Sequence, residues 1–303
     1  MSSNSVTDNK KLINSTVIFM TVLLITTWLA TFIAVVVEEK WNINGLKYMN
    51  DIFIYGCTAP VIYIYINKNK TYTVNKYCYK KLNLTGLLSL IVMCFFIYRV
   101  ICFCNILVLS LIPDGKVNQA DSGVYTIQEY KLIYGLFFYA IMAPIYEELV
   151  FRKIILSRLR QYGKRFGIVV TAFLFALYHC NVRQFVFAFL FGIVLGYVMT
   201  RYNKIIYPII IHGFCNAVNS LSYLNLCYRQ DNTNKVFRAV YSLFIIIVII
   251  VGLVKLIRRR KEINIIIHTH TVEELRVSTF LKNKYMIILA VVVLGITYIN
   301  FGT

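Results

Sequence analysis

Charge is scarce in this chain, and acidic charge scarcest: Asp, Glu, Lys and Arg fill 15% of 303 positions, with 13 acids against 32 bases. With 59% hydrophobic residues and a mean hydropathy of +0.67, that scarcity excludes a soluble globular domain. The composition is that of an integral membrane protein. Thiolate chemistry is missing as well. No C-x-x-C occurs among the eight cysteines, and Cys57, Cys94, Cys102, Cys104, Cys180, Cys215 and Cys227 all fall in or beside apolar segments. They read as small buried hydrophobes, without a disulfide framework or a thiolate metal site. The chain has no H-E-x-x-H, no internal repeat, no low-complexity tract and no Gly/Ser linker to mark a second domain. A small-residue cleavage motif is absent after the polar start, Met1 to Lys11, and the apolar run Leu12 to Val37 is too long for a signal-peptide core. It reads as a retained span.

What is present is a series of apolar windows long enough for the hydrocarbon core. They lie at 12–37, 50–67, 84–112, 132–158, 166–182, 184–200, 205–227, 236–257 and 284–301, which predicts an all-α, polytopic bundle of eight or nine transmembrane helices. The net charge of +19 would suggest nucleic acid in a soluble protein. Here the bases sit in short loops beside apolar segments, at 68–81, 152–165, Arg201 with Lys204, and 255–261, while the alternate loops are acidic or mixed. The positive-inside rule accounts for that without a polyanionic partner, and it places the N-terminus in the cytoplasm of a multi-pass cell-membrane protein. Arg99 stands near the middle of the long 84–112 run, where a partner is expected but none is identifiable. His268-Thr269-His270 falls in the alternating stretch 259–283, which reads as an amphipathic, basic cytoplasmic connector rather than a metal site.

Three polar intrusions break the apolar windows. In Glu147-Glu148-Leu149-Val150-Phe151-Arg152 two carboxylates and a guanidinium lie at membrane depth, where each charge costs roughly 2.5–3.5 kcal/mol even on lenient scales and usually has a job. Glu148 and Arg152 stand at i and i+4 with the acid first, the favourable order for a pair on one helical face. Glu147 is rotated about 100° from that face, without a partner on its own helix. Phe175 with His179, and His212 with Asn216, repeat the i, i+4 spacing in later segments. At 1.5 Å per residue Glu147 lies about 18 Å and His179 about 20 Å from the inner end of its window, whereas His212 lies about 10 Å deep.

A carboxylate, two imidazoles and an amide in a dry pocket suit hydrolysis by an activated water. A poorly hydrated carboxylate is a competent base for water and can return the proton to a leaving amine. His179 would hold that water, and His212 with Asn216 would donate to the oxyanion, roughly 3–4 kcal/mol per good donor. Cys180 and Cys215 adjoin the histidines but point about 100° away on a helix, which disfavours a Cys-His nucleophile. The same His179, His212 and a Glu could instead hold zinc; the lack of H-E-x-x-H favours chemistry without a cofactor.

These elements in this order, Glu147-Glu148-x-x-x-Arg152, Phe175-x-x-x-His179 and His212-x-x-x-Asn216, resemble the motifs of the CAAX protease and bacteriocin-processing family, also called the Abi family, of intramembrane glutamic peptidases. Glu38-Glu39 is not a second start, because Ile43 stands where the arginine would be. The resemblance runs from about 130 to 222, including Gly192, Gly196 and the Tyr207-Pro208 approach to His212. It implies a helical enzyme with a cavity open to the cytosol, Glu147 and His179 activating water, His212 and Asn216 forming an oxyanion hole, and Glu148, Arg152 and Phe175 in support. Eukaryotic members cleave the last three residues from prenylated proteins; bacterial-type members, which this short chain rich in Ile, Asn, Lys and Tyr matches in style, process or export peptides, confer bacteriocin immunity or handle signalling peptides. The expected organisation is N-terminal helices of unassigned role over 1–120, the catalytic core over 130–222, and C-terminal helices with the basic linker over 223–303.

The expected partners are a peptide or protein substrate in or at the membrane and the bilayer itself. A catalytically silent scaffold is the second reading, opposed by a Glu in lipid that a scaffold does not need. A transporter using a proton relay is the third, opposed by the absence of paired broken helices in two halves of the chain.

Overall fold

The computed structural model describes residues 3–41, 46–68, 81–110, 136–227, 235–268 and 277–302. Among these residues every regular element is helical and no strand occurs, as the apolar windows predict. The elements are α1 Ser3–Trp41, α2 Leu46–Lys68 and α3 Leu84–Ser110, followed by a helical path of changing pitch. That path comprises a π turn Phe138–Met142, α4 Ala143–Glu148, a π segment Leu149–Leu156, α5 Ser157–Leu159 and a 3₁₀ turn Arg160–Tyr162. Then come α6 Lys164–Tyr178, α7 Val182–Tyr202, α8 Ile206–Cys227, α9 Lys235–His268, α10 Val277–Leu281 and α11 Tyr285–Gly302.

Four described helical stretches are long and apolar enough to cross a bilayer: Lys10–Val37, Leu84–Ser110, Val182–Tyr202 and Arg238–Arg258. Of the other expected windows, 50–67, 205–227 and 284–301 each fall almost wholly in one α-helix, and the described part of 132–158 is the helical path of changing pitch. The window 166–182 ends early, because α6 has 15 residues and rises about 22 Å, short of the ~30 Å hydrocarbon core. His179 thus sits in a turn and not within a crossing helix. The basic stretch after 258 begins as a continuation of α9 to His268; Thr269 and His270 of the H-x-H lie outside the described residues.

The chain folds into two compact units that interleave along the sequence. The first comprises Met1–Tyr77, Leu149–Gly196 and Val272–Thr303. Within it α1 packs on α2 through Phe19 stacked on Tyr65 at 4.1 Å, and the Tyr65 hydroxyl shares a 2.9 Å hydrogen bond with Thr16. Asn283, at the entry to α11, donates to Asn14 of α1 at 2.6 Å. α6 and α7 approach closely because Gly192 has no side chain: a Cβ there would lie 3.1 Å from the Ala172 Cα. Large apolar side chains such as Phe32, Ile287 and Leu294 point outward, an arrangement that a bilayer, and not water, covers.

The second unit comprises Cys78–Glu148 and Tyr197–Thr271. α3 meets α9 at Gly252, where a Cβ would fall 2.6 Å from the Val92 carbonyl oxygen. Phe95 of α3 stands edge-on to Phe214 of α8 at 5.4 Å, and the Tyr241 hydroxyl of α9 donates to the Val218 carbonyl at 3.1 Å. α8 is thereby held from two sides, with its polar residues turned to the π turn and α4.

Candidate active site

In the second unit the local geometry starts from Pro144. A proline inside a helix brings no N–H and crowds the carbonyl four residues before it. The chain answers with a wider turn: the Ala143 N–H bonds to the Phe138 carbonyl, five residues back. In a regular α-helix that N–H would serve Tyr139, and the next donor along is the missing one of Pro144. The Tyr139 carbonyl is therefore released, and the Asn216 side chain of α8 takes it, Nδ2 donating at 2.9 Å. One amide hydrogen is used in this way and the second remains to donate elsewhere. The crowded carbonyl of Ala140 faces Gly213, where a Cβ would come within 2.6 Å of its oxygen. Only glycine lets α8 approach the turn this closely.

One turn before Asn216, His212 lies between the two carboxylates. Its Nδ1 is 3.0 Å from Glu148 Oε1 and its Nε2 is 3.8 Å from Glu147 Oε2. Adjacent residues of a helix point about 100° apart, and the ring spans that difference by presenting a nitrogen to each. Glu148 is fully buried, His212 is 5% and Asn216 8% exposed, while the Glu147 side chain keeps 17% of its surface. The two acids are distinguished by these surroundings: Glu148 is a dry hydrogen-bond acceptor, and Glu147 is the one that water can reach. A carboxylate facing Nδ1 fixes the proton on that nitrogen and directs Nε2 toward Glu147.

In the first unit the second cluster forms where α6 ends. The His179 N–H turns back to Ala176 at 3.3 Å and the Cys180 N–H to Leu177 at 3.0 Å, three residues back in each case. The Phe175 carbonyl, which the His179 N–H would have taken in a continuing helix, accepts instead from the His179 side chain, with Nδ1 at 2.8 Å. A carbonyl can only accept, so the proton is on Nδ1 and the neutral ring presents its lone pair at Nε2. The His179 ring stands edge-on to Phe175 at 4.8 Å, and the Arg152 guanidinium lies over the Phe175 ring at 4.9 Å from its centroid. Phe151 closes the cluster at 5.1 Å from Phe175. Arg152 is fully buried and Phe175 is 2% exposed, so each fixes the other in place.

The expected site residues thus fall into two groups. Glu147, Glu148, His212 and Asn216 come together in the second unit, and Arg152, Phe175 and His179 in the first. Glu148 and Arg152 stand on either side of that division, and their pairing stays an expectation from spacing. What the sequence reading missed is the backbone: Tyr139, Pro144 and Gly213 shape the first group, and Glu148 takes His212 as a partner. Pro144, three residues before Glu147 in an apolar run, was the available signal. Among the described residues no group of three His, Cys, Asp or Glu side chains is placed to hold a metal ion.

Residues 129–218 match a family model described as Type II CAAX prenyl endopeptidase Rce1-like. The matched segment is under a third of the chain and contains Glu147, Glu148, Arg152, Phe175, His179, His212 and Asn216, together with Tyr139, Pro144 and Gly213. The resemblance carried by the three motifs is shown over this segment, and it is to a family of membrane proteases. No curated protein and no solved structure matches the chain.

Proposed function

We propose that the chain is an intramembrane endopeptidase that hydrolyses a peptide bond of a membrane-associated peptide or protein with water activated by Glu147, without a metal. The observation that carries this reading is the imidazole of His212 set between a fully buried Glu148 and a partly wetted Glu147, at 3.0 and 3.8 Å, inside the segment that matches a CAAX protease family. Glu147 takes a proton from water as the water oxygen bonds to the scissile carbonyl carbon. That His179 assists the same step, with the lone pair on Nε2 as acceptor, is what the resemblance of the motifs implies. The tetrahedral oxyanion receives the second N–H of Asn216, and an N–H at Nε2 of His212 when that ring is doubly protonated with Glu148 as its counter-ion. Glu147 then returns its proton to the leaving nitrogen as the C–N bond breaks.

The substrate is a peptide or protein presented at the cytoplasmic face, in the manner of bacterial peptide maturation, immunity or signal processing, and the basic loops support an N-terminus on that face. The test compares wild type with Glu147→Gln, both purified in detergent, against prenylated and unmodified membrane peptides read by mass spectrometry, with and without a strong chelator. Removal of a general base should lower the rate roughly 10²–10⁴-fold, with no effect of chelation. Equal cleavage by the variant would sink the reading. Loss on chelation would transfer the chemistry to a metal, and a phenotype kept by the variant without cleavage would indicate a scaffold.

A further inference from the structure

Threonines in the described helices mostly spend their hydroxyls at home. Thr16, Thr21, Thr26, Thr27, Thr31 and Thr58 each donate to the carbonyl four residues back on their own helix, the usual way of hiding a hydroxyl in lipid. Thr297 of α11 does otherwise. Its hydroxyl donates at 3.1 Å to the carbonyl of Cys180, 117 residues away in sequence. Thr297 is 9% and Cys180 6% exposed. Cys180 is an unusual acceptor, because its φ of 44° is in the left-handed region that favours glycine. Asn203 is the other described non-glycine residue with positive φ, and asparagine tolerates that conformation. Cysteine does so poorly, and such a residue persists where its surroundings hold it.

The held residue is the corner between α6 and α7. His179 precedes it and Asn181 follows, the Asn181 side chain accepting the Arg183 N–H at 2.9 Å as the N-cap of α7. The bend of the chain at Cys180 stops α6 and so releases the Phe175 carbonyl to His179 Nδ1. A corner that relaxed to an ordinary φ would return that carbonyl to a backbone N–H and free the imidazole. We infer that Thr297, in the last helix and outside the segment that matches the protease family, is a positioning residue for His179, acting through the Cys180 carbonyl. The inference rests on the proposed role of His179.

The experiment uses the full-length protein in detergent with three variants. Thr297→Val keeps the shape and removes the hydroxyl, Thr297→Ser keeps the hydroxyl, and Thr297→Val with Cys180→Gly removes the bond but lets the corner adopt its conformation freely. Thr297→Val should lower kcat by about ten- to a hundred-fold, the scale of a misplaced catalytic group, with KM changed little. Thr297→Ser and the double variant should recover most of the rate. Nitrogen-15 NMR of the histidines should show the His179 proton on Nδ1 in wild type and Thr297→Ser, and lose that signature in Thr297→Val. Unchanged kcat and an unchanged His179 signal in Thr297→Val would overturn the inference, as would equal losses in Thr297→Ser or a loss the glycine does not relieve. Should wild type cleave nothing, the proposed function fails while the NMR comparison still decides whether Thr297 positions His179.

Discussion

The two clusters solve one problem in different ways. Inside a bilayer every backbone carbonyl must find a donor within the protein, and each cluster contains a carbonyl released from its helix. In one, Pro144 forces a π turn and the Tyr139 oxygen is met by Asn216, 77 residues away. In the other, the end of α6 releases the Phe175 oxygen and His179 takes it, 4 residues away. The first grip exists only when α8 is docked against the turn through Gly213, so it reports tertiary packing. The second joins two residues of one short segment and depends on the corner after Tyr178, which Thr297 holds through the Cys180 carbonyl. In both, a site side chain is oriented by satisfying a backbone group, which ties the geometry of the chemistry to the solvation of the fold.

Breaking the packed grip should have the larger effect. Asn216→Ala removes the proposed oxyanion donor and leaves the Tyr139 carbonyl without the Asn216 amide. The expected losses are roughly 10²–10³-fold in kcat and about 1–3 kcal/mol in stability, measured by steady-state cleavage and thermal unfolding in detergent. A fall in stability with full activity would remove Asn216 from the chemistry and leave it a structural contact.

Pro144→Ala sharpens the comparison, because it should move stability and activity in opposite directions. Restoring the N–H lets the turn revert to α pitch and bond the Tyr139 carbonyl within its own helix, which holds or raises the melting temperature. Asn216 then loses its anchor, and kcat should fall about ten-fold. A drop in both quantities would mean that the proline serves packing alone.

The difference between the clusters also explains what could be read from the sequence. Apolar windows give helices because the bilayer demands them, and glutamates and histidines at membrane depth are conspicuous because they are expensive. The Phe175–His179 relation was legible as well, since a spacing of four residues brings the two side chains to one side of a helical turn. The engagement of His212 with Glu148 was not, because 64 residues separate them and only packing decides it. Spacing on an ideal helix offered Arg152 as the partner of Glu148, and that pairing stays an expectation; what spacing did not offer was Arg152 over the Phe175 ring or His212 beside Glu148. Pitch was hidden too. The apolar periodicity of 166–182 contains nothing that stops the helix at Tyr178, because the stop depends on a left-handed cysteine.

The local grip should be the more forgiving, and Phe175→Leu tests this at small scale. The substitution removes the ring between the Arg152 guanidinium and His179, at 4.9 and 4.8 Å, but keeps the backbone carbonyl that accepts from Nδ1. A buried ring-to-branched exchange that also loses a cation–π contact should destabilise by about 1–2 kcal/mol. The imidazole keeps its tautomer and most of its direction, so kcat should fall only a few-fold, on the order of 1 kcal/mol in barrier. A collapse as deep as that of Asn216→Ala would show that the aromatic stack, and not the carbonyl, orients His179. The two clusters would then depend equally on packing, and the contrast between a local and a tertiary grip would be lost.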